Sequence, residues 1–435
     1  MKFLRTNQGN FREEFKKIVS RNNGGASEVD EVVRSILAKV REGKDEALLA
    51  LTKKWDKVKL TSDSLEVSRK EIEEAHRQVT SLELRSLKLA AKRIERFHRK
   101  KLPSSWSTSD EEGIILGQVI KPLERVGIYV PGGKAAYPST VLMNAIPARV
   151  AGVKELIMVT PAIRGEINPY VLVAAELTRI DRIFKVGGAQ AIGALAYGTE
   201  TIPRVDKIVG PGNIYVATAK RQIFTQVGID IIAGPSEILV LSDGSGEPAF
   251  IAADLLSQAE HDEQAISILI TTSIAFANKV KNILISQLRE LRRREIAEVA
   301  IKNNGVIIIA RDLTEAVDLA NQFAPEHLEL AVKNSRAILK QIKNAGAIFL
   351  GHYSPEAVGD YLAGPNHVLP TGGTARFSSP LGVEDFLKRS NVIFFKKKRL
   401  QDLSDDIIRI ANLEGLDGHA KAIEIRMGVR RKRAI

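Results

Sequence analysis

Apolar positions recur at helical spacing through residues 1–110, against a strongly charged background. Val33, Ile36, Leu37 and Val40 do so in EVVRSILAKV, and Leu84, Leu87, Ala91 and Ile94 do so in the long charged stretch that Pro103 ends. From there the pattern changes to short Ile- and Val-rich runs: RVGIYV, ELIMVT, RIFKV, KIVG, EILVL, AISILIT, GVIIIA and AIFLG. Continuous apolar runs of this length mark strands buried on both faces, as in parallel sheets. Helical stretches such as AQAIGALAYGT and PAFIAADLLSQAEH separate some of them, which predicts α/β architecture with crossover helices. About eight strands in this span fit two open Rossmann-like sheets better than one. The expected organisation is an N-terminal helical segment over 1–110, a first Rossmann-like domain over 111–235 and a second over 236–379. A small C-terminal helical tail over 380–435 is too short for a core of its own and must pack on its own subunit or on a partner.

Composition narrows the function classes. The 435 residues contain no cysteine, which excludes disulfides, thiolate metal sites and a cysteine nucleophile. No apolar run approaches the roughly 20 residues of a membrane span, and the N-terminus lacks a signal-peptide apolar region, so a cytoplasmic protein without a membrane partner is expected. The net charge of +12 is spread along the chain except at RELRRRE, FFKKKRL and RMGVRRKRAI. These runs lack interleaved aromatic residues or a reading motif, so a solvated or anion-attracting surface is expected rather than a nucleic-acid partner.

Three glycine turns follow strand-like runs: VPGGKAAYP (130–138), VGGAQAIG (186–193) and VGPGNIY (209–215). Glycine turns at strand ends let backbone N–H groups approach phosphates. None is the G-x-G-x-x-G fingerprint, and no acidic residue follows at the usual ribose distance, but three in succession point to a nucleotide-sized site. The second half concentrates the histidines: five of the seven, His261, His327, His352, His367 and His419, lie after residue 260. In LLSQAEHDEQA the i, i+3 spacing puts Gln258 and His261 on one helix face, which suits either a surface or capping pair or two ligands of one metal. Zinc takes histidine nitrogen with carboxylate oxygen and leaves a position open in catalytic sites, so Gln258, His261, Asp360 and His419 form a set of suitable size. Asp360 equally suits a turn carboxylate, and His419 a simple hydrogen-bond donor. In FAPEHLEL, Glu326 and His327 follow Pro325 and suit an acid–base pair at a cleft edge, or a pair on a helix surface.

The segments GIYVPGGKAAYPST, VGGAQAIGALAYGT, VGPGNIYV, IAGPSEILV, DLLSQAEHD, FAPEHLEL, YLAGPNHVLPT and EGLDGHA resemble, in consistent order from about 30 to 425, the histidinol dehydrogenase family. The resemblance implies oxidation of L-histidinol to L-histidine by NAD and a zinc ion on Gln258, His261, Asp360 and His419. It also implies a homodimer in which His419 comes from the neighbouring subunit. Substrate contacts carry over to Ser236, His327, Asp360, Glu414 and His419, with His367 near the reacting carbon, and NAD contacts carry over to Tyr129, Gln190 and Asn213. Within that frame a neutral His327 suits removal of the hydroxyl proton. An aldehyde needs a nucleophile before it can give up hydride, and without cysteine this must be water, activated by Glu326. Zinc would orient the imidazole and amine of the substrate. A zinc hydrolase would use the same His, Gln and Asp cluster but leave the glycine turns unexplained. A basic nucleic-acid-binding protein would explain the charge and little else.

Overall fold

The computed structural model describes residues 1–21, 26–100, 102–110, 113–132, 136–232 and 234–428. The chain divides into two units, one of Met1–Lys101 with Leu123–Phe386 and one of Leu102–Pro122 with Leu387–Ile435.

The larger unit holds two parallel sheets. The first has five strands, in the order Arg182–Phe184, Glu155–Val159, Arg125–Tyr129, Lys207–Val209, Gly228–Ile229. Its side chains alternate between two apolar layers: Ile157, Val159, Phe184 and Ile208 enter one, and Val126, Ile128, Leu156 and Met158 the other. Burial on both faces is the reason these strands read as unbroken apolar runs. The N-terminal helices supply the covers. Ala26–Trp55 packs Val33, Leu37, Val40 and Leu48 against the first layer, and Ser81–His98 places Ala90 and Ile94 in the second. The helices Arg69–Gln78 and Ser81–His98 each open on a capping box, Ser68 with Glu71 and Thr80 with Glu83, which satisfies free N–H groups at both starts.

The second sheet has six parallel strands, in the order Lys2–Arg5, Gly305–Ile309, Ile266–Thr271, Glu237–Ser242, His327–Ala331, Ala347–Leu350. All eight runs singled out in the sequence are strands. Two features depart from the pattern. Lys2–Arg5, inside the segment expected to be helical, is an edge strand of this sheet, paired with Gly305–Ile309. His327–Ala331 is buried throughout, although its alternating His and Glu residues conceal it among polar positions.

The smaller unit is an antiparallel sheet of Trp106–Ser109, Ile114–Pro122 and Leu387–Phe395, followed by the helices Lys397–Leu413 and Asp417–Arg426. The tail is thus helical after an initial strand, and that strand pairs with residues 114–122, which lie within the segment 111–235 expected to form the first Rossmann-like domain. The basic run RMGVRRKRAI lies outside the described residues from position 429 onward, as do residues 133–135 of the first glycine turn.

Candidate active site

Glu326 and His327 stand at the amino ends of the second sheet's strands, where His327 is in register with Ile238. Both are buried, at 7% and 4% exposure. Glu326 Oε2 accepts from the Glu237 N–H at 2.8 Å, and the Glu326 N–H points back to Glu237 Oε2 at 3.3 Å. His327 Nδ1 is 3.0 Å from the Glu237 carbonyl oxygen. Its Nε2 is buried without a hydrogen bond and lies 3.7 Å from Asp360 Oδ1.

Asp360 sits in a π-turn, Gly359–Ala363, and its main-chain oxygen accepts from His367 Nδ1 at 3.1 Å. Such turns recur at functional sites because they re-aim one residue out of a helical run. Four residues earlier, Glu356 is 2% exposed and accepts from Ser257 Oγ at 2.9 Å. Gln258, wholly buried in the last turn of Pro248–Ala259, completes the group. In the orientation that satisfies its neighbours, its amide nitrogen donates to both Glu356 oxygens at 2.7 and 3.0 Å, and its oxygen accepts from the Glu237 N–H at 3.1 Å. His261 follows one turn later, its ring within the electrostatic reach of Asp360 and His327.

The charges of this group are strongly coupled. Burial pushes Glu326 up to about 8, against the lowering effect of His327. Burial would lower His327, but Glu326, Asp360 and Glu356 raise it to about 10. Burial would also raise Asp360, yet the neighbouring histidines His327, His367 and His261 hold it down to about 2. Burial lowers both His261 and His367, which keeps their nitrogens available as donors to a cation or a substrate. His327, Glu356 and Asp360 bring ligand-type atoms within 4.8 Å of one another. Buried carboxylates around an unpartnered imidazole nitrogen are an arrangement that a divalent cation would neutralise.

Behind these residues, the Arg21 side chain is 7% exposed and forks onto Glu237, with Nε 2.5 Å from Oε1 and Nη2 2.8 Å from Oε2. Arg21 and Glu237 were not singled out in the sequence, and nothing in the spacing marks them. Glu356 did carry a signal: it precedes Asp360 by four residues in SPEAVGDY. Ser236 is half-buried immediately before the strand Glu237–Ser242, and its carbonyl accepts from the Ile266 N–H at 2.9 Å. Glu414 and His419 lie exposed in the smaller unit.

The three remaining expected residues gather at the carboxyl edge of the first sheet. Tyr129 ends the central strand, and its hydroxyl, pushed up to about 12 by burial, accepts from the Gly188 N–H at 3.1 Å. Gln190 is 2% exposed in the helix that Gly188 opens. Asn213 caps the helix Ile214–Ile223 through Oδ1, which accepts from Tyr215 and Val216 N–H at 3.1 Å. Gly210 has φ +109, and a Cβ there would lie 2.1 Å from the Tyr129 carbonyl oxygen, so only glycine lets the strand ends approach this closely.

The histidinol dehydrogenase profile matches residues 19–427. The chain belongs to the histidinol dehydrogenase family. Histidinol dehydrogenase of Geobacter sulfurreducens is 57% identical over 98% of this chain and 100% of its own length. That of Bacillus thuringiensis is 52% identical over 96% of this chain and 98% of its own. The crystal structure of the histidinol dehydrogenase from Elizabethkingia anophelis superposes with a TM-score of 0.92 at 38% identity, covering 98% of both chains. The family comprises NAD-dependent oxidoreductases that catalyse the final step of histidine biosynthesis. The order of motifs read in the sequence therefore identified the family. Among the described residues no helix is long and apolar enough to cross a membrane.

Proposed function

We propose that this chain oxidises L-histidinol to L-histidine through L-histidinaldehyde, with two successive hydride transfers to NAD at a zinc-dependent site completed across a cytoplasmic homodimer. The observation that carries the reading is His327: its Nδ1 is held by a main-chain oxygen, and its buried Nε2 has no hydrogen-bond partner. Gln258, His261 and Asp360 would hold the metal, with His419 from a second copy. The donor set of imidazole, amide and carboxylate oxygen suits zinc. When bound, zinc supplies a fixed point for the imidazole and amine nitrogens of histidinol.

The chain's own residues account for the proton movements. His327 Nε2, buried beside Asp360 and without a hydrogen-bond partner, is the atom that takes the hydroxyl proton as the first hydride leaves the carbinol carbon. His367 and Ser236 line the substrate's position beside it, with Glu414 reaching it from the second copy. The aldehyde then adds water, because the chain offers no thiol. Glu326, raised by burial, is suited to take the proton of that water as the new C–O bond forms. Loss of the second hydride from the hydrate leaves the carboxylate, so one histidinol and one water yield two NADH, one histidine and three protons.

Tyr129, Gln190 and Asn213 would contact NAD, making 111–235 the NAD side and 236–379 the metal and catalytic side. Support for the 380–435 tail as a partner-packing element comes from its exposed apolar side chains: Leu413 is 81% and Ile425 is 66% exposed. The test is stoichiometric. Zinc-loaded protein given limiting histidinol and excess NAD is expected to form two NADH per histidinol, and NADH formation that stops at one, or does not start, overturns the reading.

A further inference from the structure

The dinucleotide-binding pattern asks for a carboxylate near the end of the second strand of the sheet, where it hydrogen-bonds a ribose hydroxyl. In this chain the second strand, Glu155–Val159, offers only Glu155, at the opposite end, where Arg125 Nε lies 2.5 Å from it. The strand itself therefore supplies no carboxylate at its carboxyl end.

The fold brings one from elsewhere. The turns after the first three strands converge on Pro161: a Cβ on Gly132 would lie 2.8 Å from Pro161 Cγ, and one on Gly187 would lie 2.6 Å from Pro161 Cβ. Asp56, directly after the helix Ala26–Trp55, enters this convergence. Its Oδ2 faces the Gly187 N–H and Gln190 Nε2, each at a long 3.4 Å. Among the described residues, Oδ1 takes no hydrogen bond and no cation pairs with the group. Burial raises the Asp56 carboxyl, an effect the two N–H contacts only partly offset. A partly desolvated carboxylate with one satisfied oxygen, beside Gln190 and the loop that Tyr129 holds, is more than the start of the helix Gly188–Tyr197 requires.

We propose that Asp56 recognises the adenosine ribose of NAD, accepting a hydrogen bond from its 2′-hydroxyl and excluding the 2′-phosphate of NADP by charge repulsion. The inference rests on NAD lying at the carboxyl edge of the five-stranded sheet. It gives the N-terminal helical segment a part in cofactor choice as well as in covering the sheet.

The experiment compares full-length, zinc-loaded wild type with Asp56→Asn and Asp56→Ser, measuring kcat and KM for NAD and for NADP at saturating histidinol, together with melting temperature. Serine keeps an acceptor for the Gly187 N–H and removes the charge, so it separates recognition from capping. Loss of a hydrogen bond to a charged group is expected to raise KM for NAD by roughly tenfold or more, with kcat little changed. The preference for NAD over NADP in kcat/KM should fall by about tenfold or more in both variants. An unchanged preference, with or without a lower melting temperature, overturns the proposal and leaves Asp56 as a helix cap. Gln190→Ala and Asn213→Ala, measured alongside, separate the two levels of inference. If they raise KM for NAD and the Asp56 variants do not, the role of Asp56 fails alone; if none of the four does, the placement of NAD fails with it.

Discussion

His327 Nδ1 lies 3.0 Å from the main-chain oxygen of Glu237. A carbonyl oxygen can only accept, so Nδ1 carries the hydrogen, and in the neutral ring Nε2 is the basic atom. The same residue holds Glu326 through its N–H at 2.8 Å, so one residue of one strand, through the peptides on either side of it, orients both members of the acid–base pair.

That arrangement separates the two oxidations. His327→Asn is expected to slow histidinol oxidation by on the order of a hundredfold or more, the usual effect of losing a general base. Glu326→Gln should slow histidinaldehyde oxidation far more than histidinol oxidation. Single-turnover NADH traces with each substrate decide it, and equal losses in both steps for Glu326→Gln would remove the assigned role.

His261→Asn should abolish zinc binding and turnover while leaving the fold intact, because the ring contributes to the cluster rather than to an apolar core. Metal analysis of the purified variant with circular dichroism is the check. Tightly held stoichiometric zinc would contradict the ligand assignment.

The Gln258 amide nitrogen donates to the Glu356 carboxylate, which turns the Gln258 oxygen the other way, where it accepts from the Glu237 N–H and keeps a second lone pair for a cation. Glu356→Gln places a second amide against the first and lets Gln258 turn over. Outer partners of metal ligands typically contribute 10–100-fold in affinity, so a loss of about that size is expected in chelator competition. Affinity equal to wild type would show that Gln258 is oriented by other contacts.

Arg21→Met would strand Glu237, which is 1% exposed, without its cation. Breaking a buried pair from one side typically costs about 3–5 kcal/mol. Urea unfolding should show a loss of that order, and a change under about 1 kcal/mol would mean that solvent reaches Glu237.

The dimer is tested by complementation. If His419 serves the neighbouring copy, His261→Asn and His419→Asn subunits refolded together form mixed dimers with one intact site and one doubly damaged site. About half the dimers are mixed, so activity should return to roughly a quarter of wild type by two-fold symmetry. No recovery in a sample shown to contain mixed dimers would place each site within one subunit.

The strand runs were legible because burial on both faces removes polar residues, as from Arg125 to Tyr129 and from Gly305 to Ile309. His327–Ala331 was not legible as a strand, since two of its five buried positions are His and Glu, polar residues that break the apolar run. Motif order alone carried the family and named Gln258, His261, Glu326, His327 and Asp360, because local spacing and residue type survive in one dimension. Charge compensation does not. Arg21 reaches Glu237 across 216 positions and Asp56 reaches Gly187 across 131, so neither partner leaves any trace in the other's neighbourhood along the chain. The surroundings of His327 belong only partly to the same class: Glu326, which raises it most, is its neighbour in sequence, but Glu356 and Asp360 come from a segment about 30 residues on that only folding brings to it. The sequence by itself determined eight of the strands in the two parallel sheets and the family. Tertiary structure alone decided which buried charges meet and which nitrogen of His327 is free, because electrostatic energy depends on distances that only folding sets.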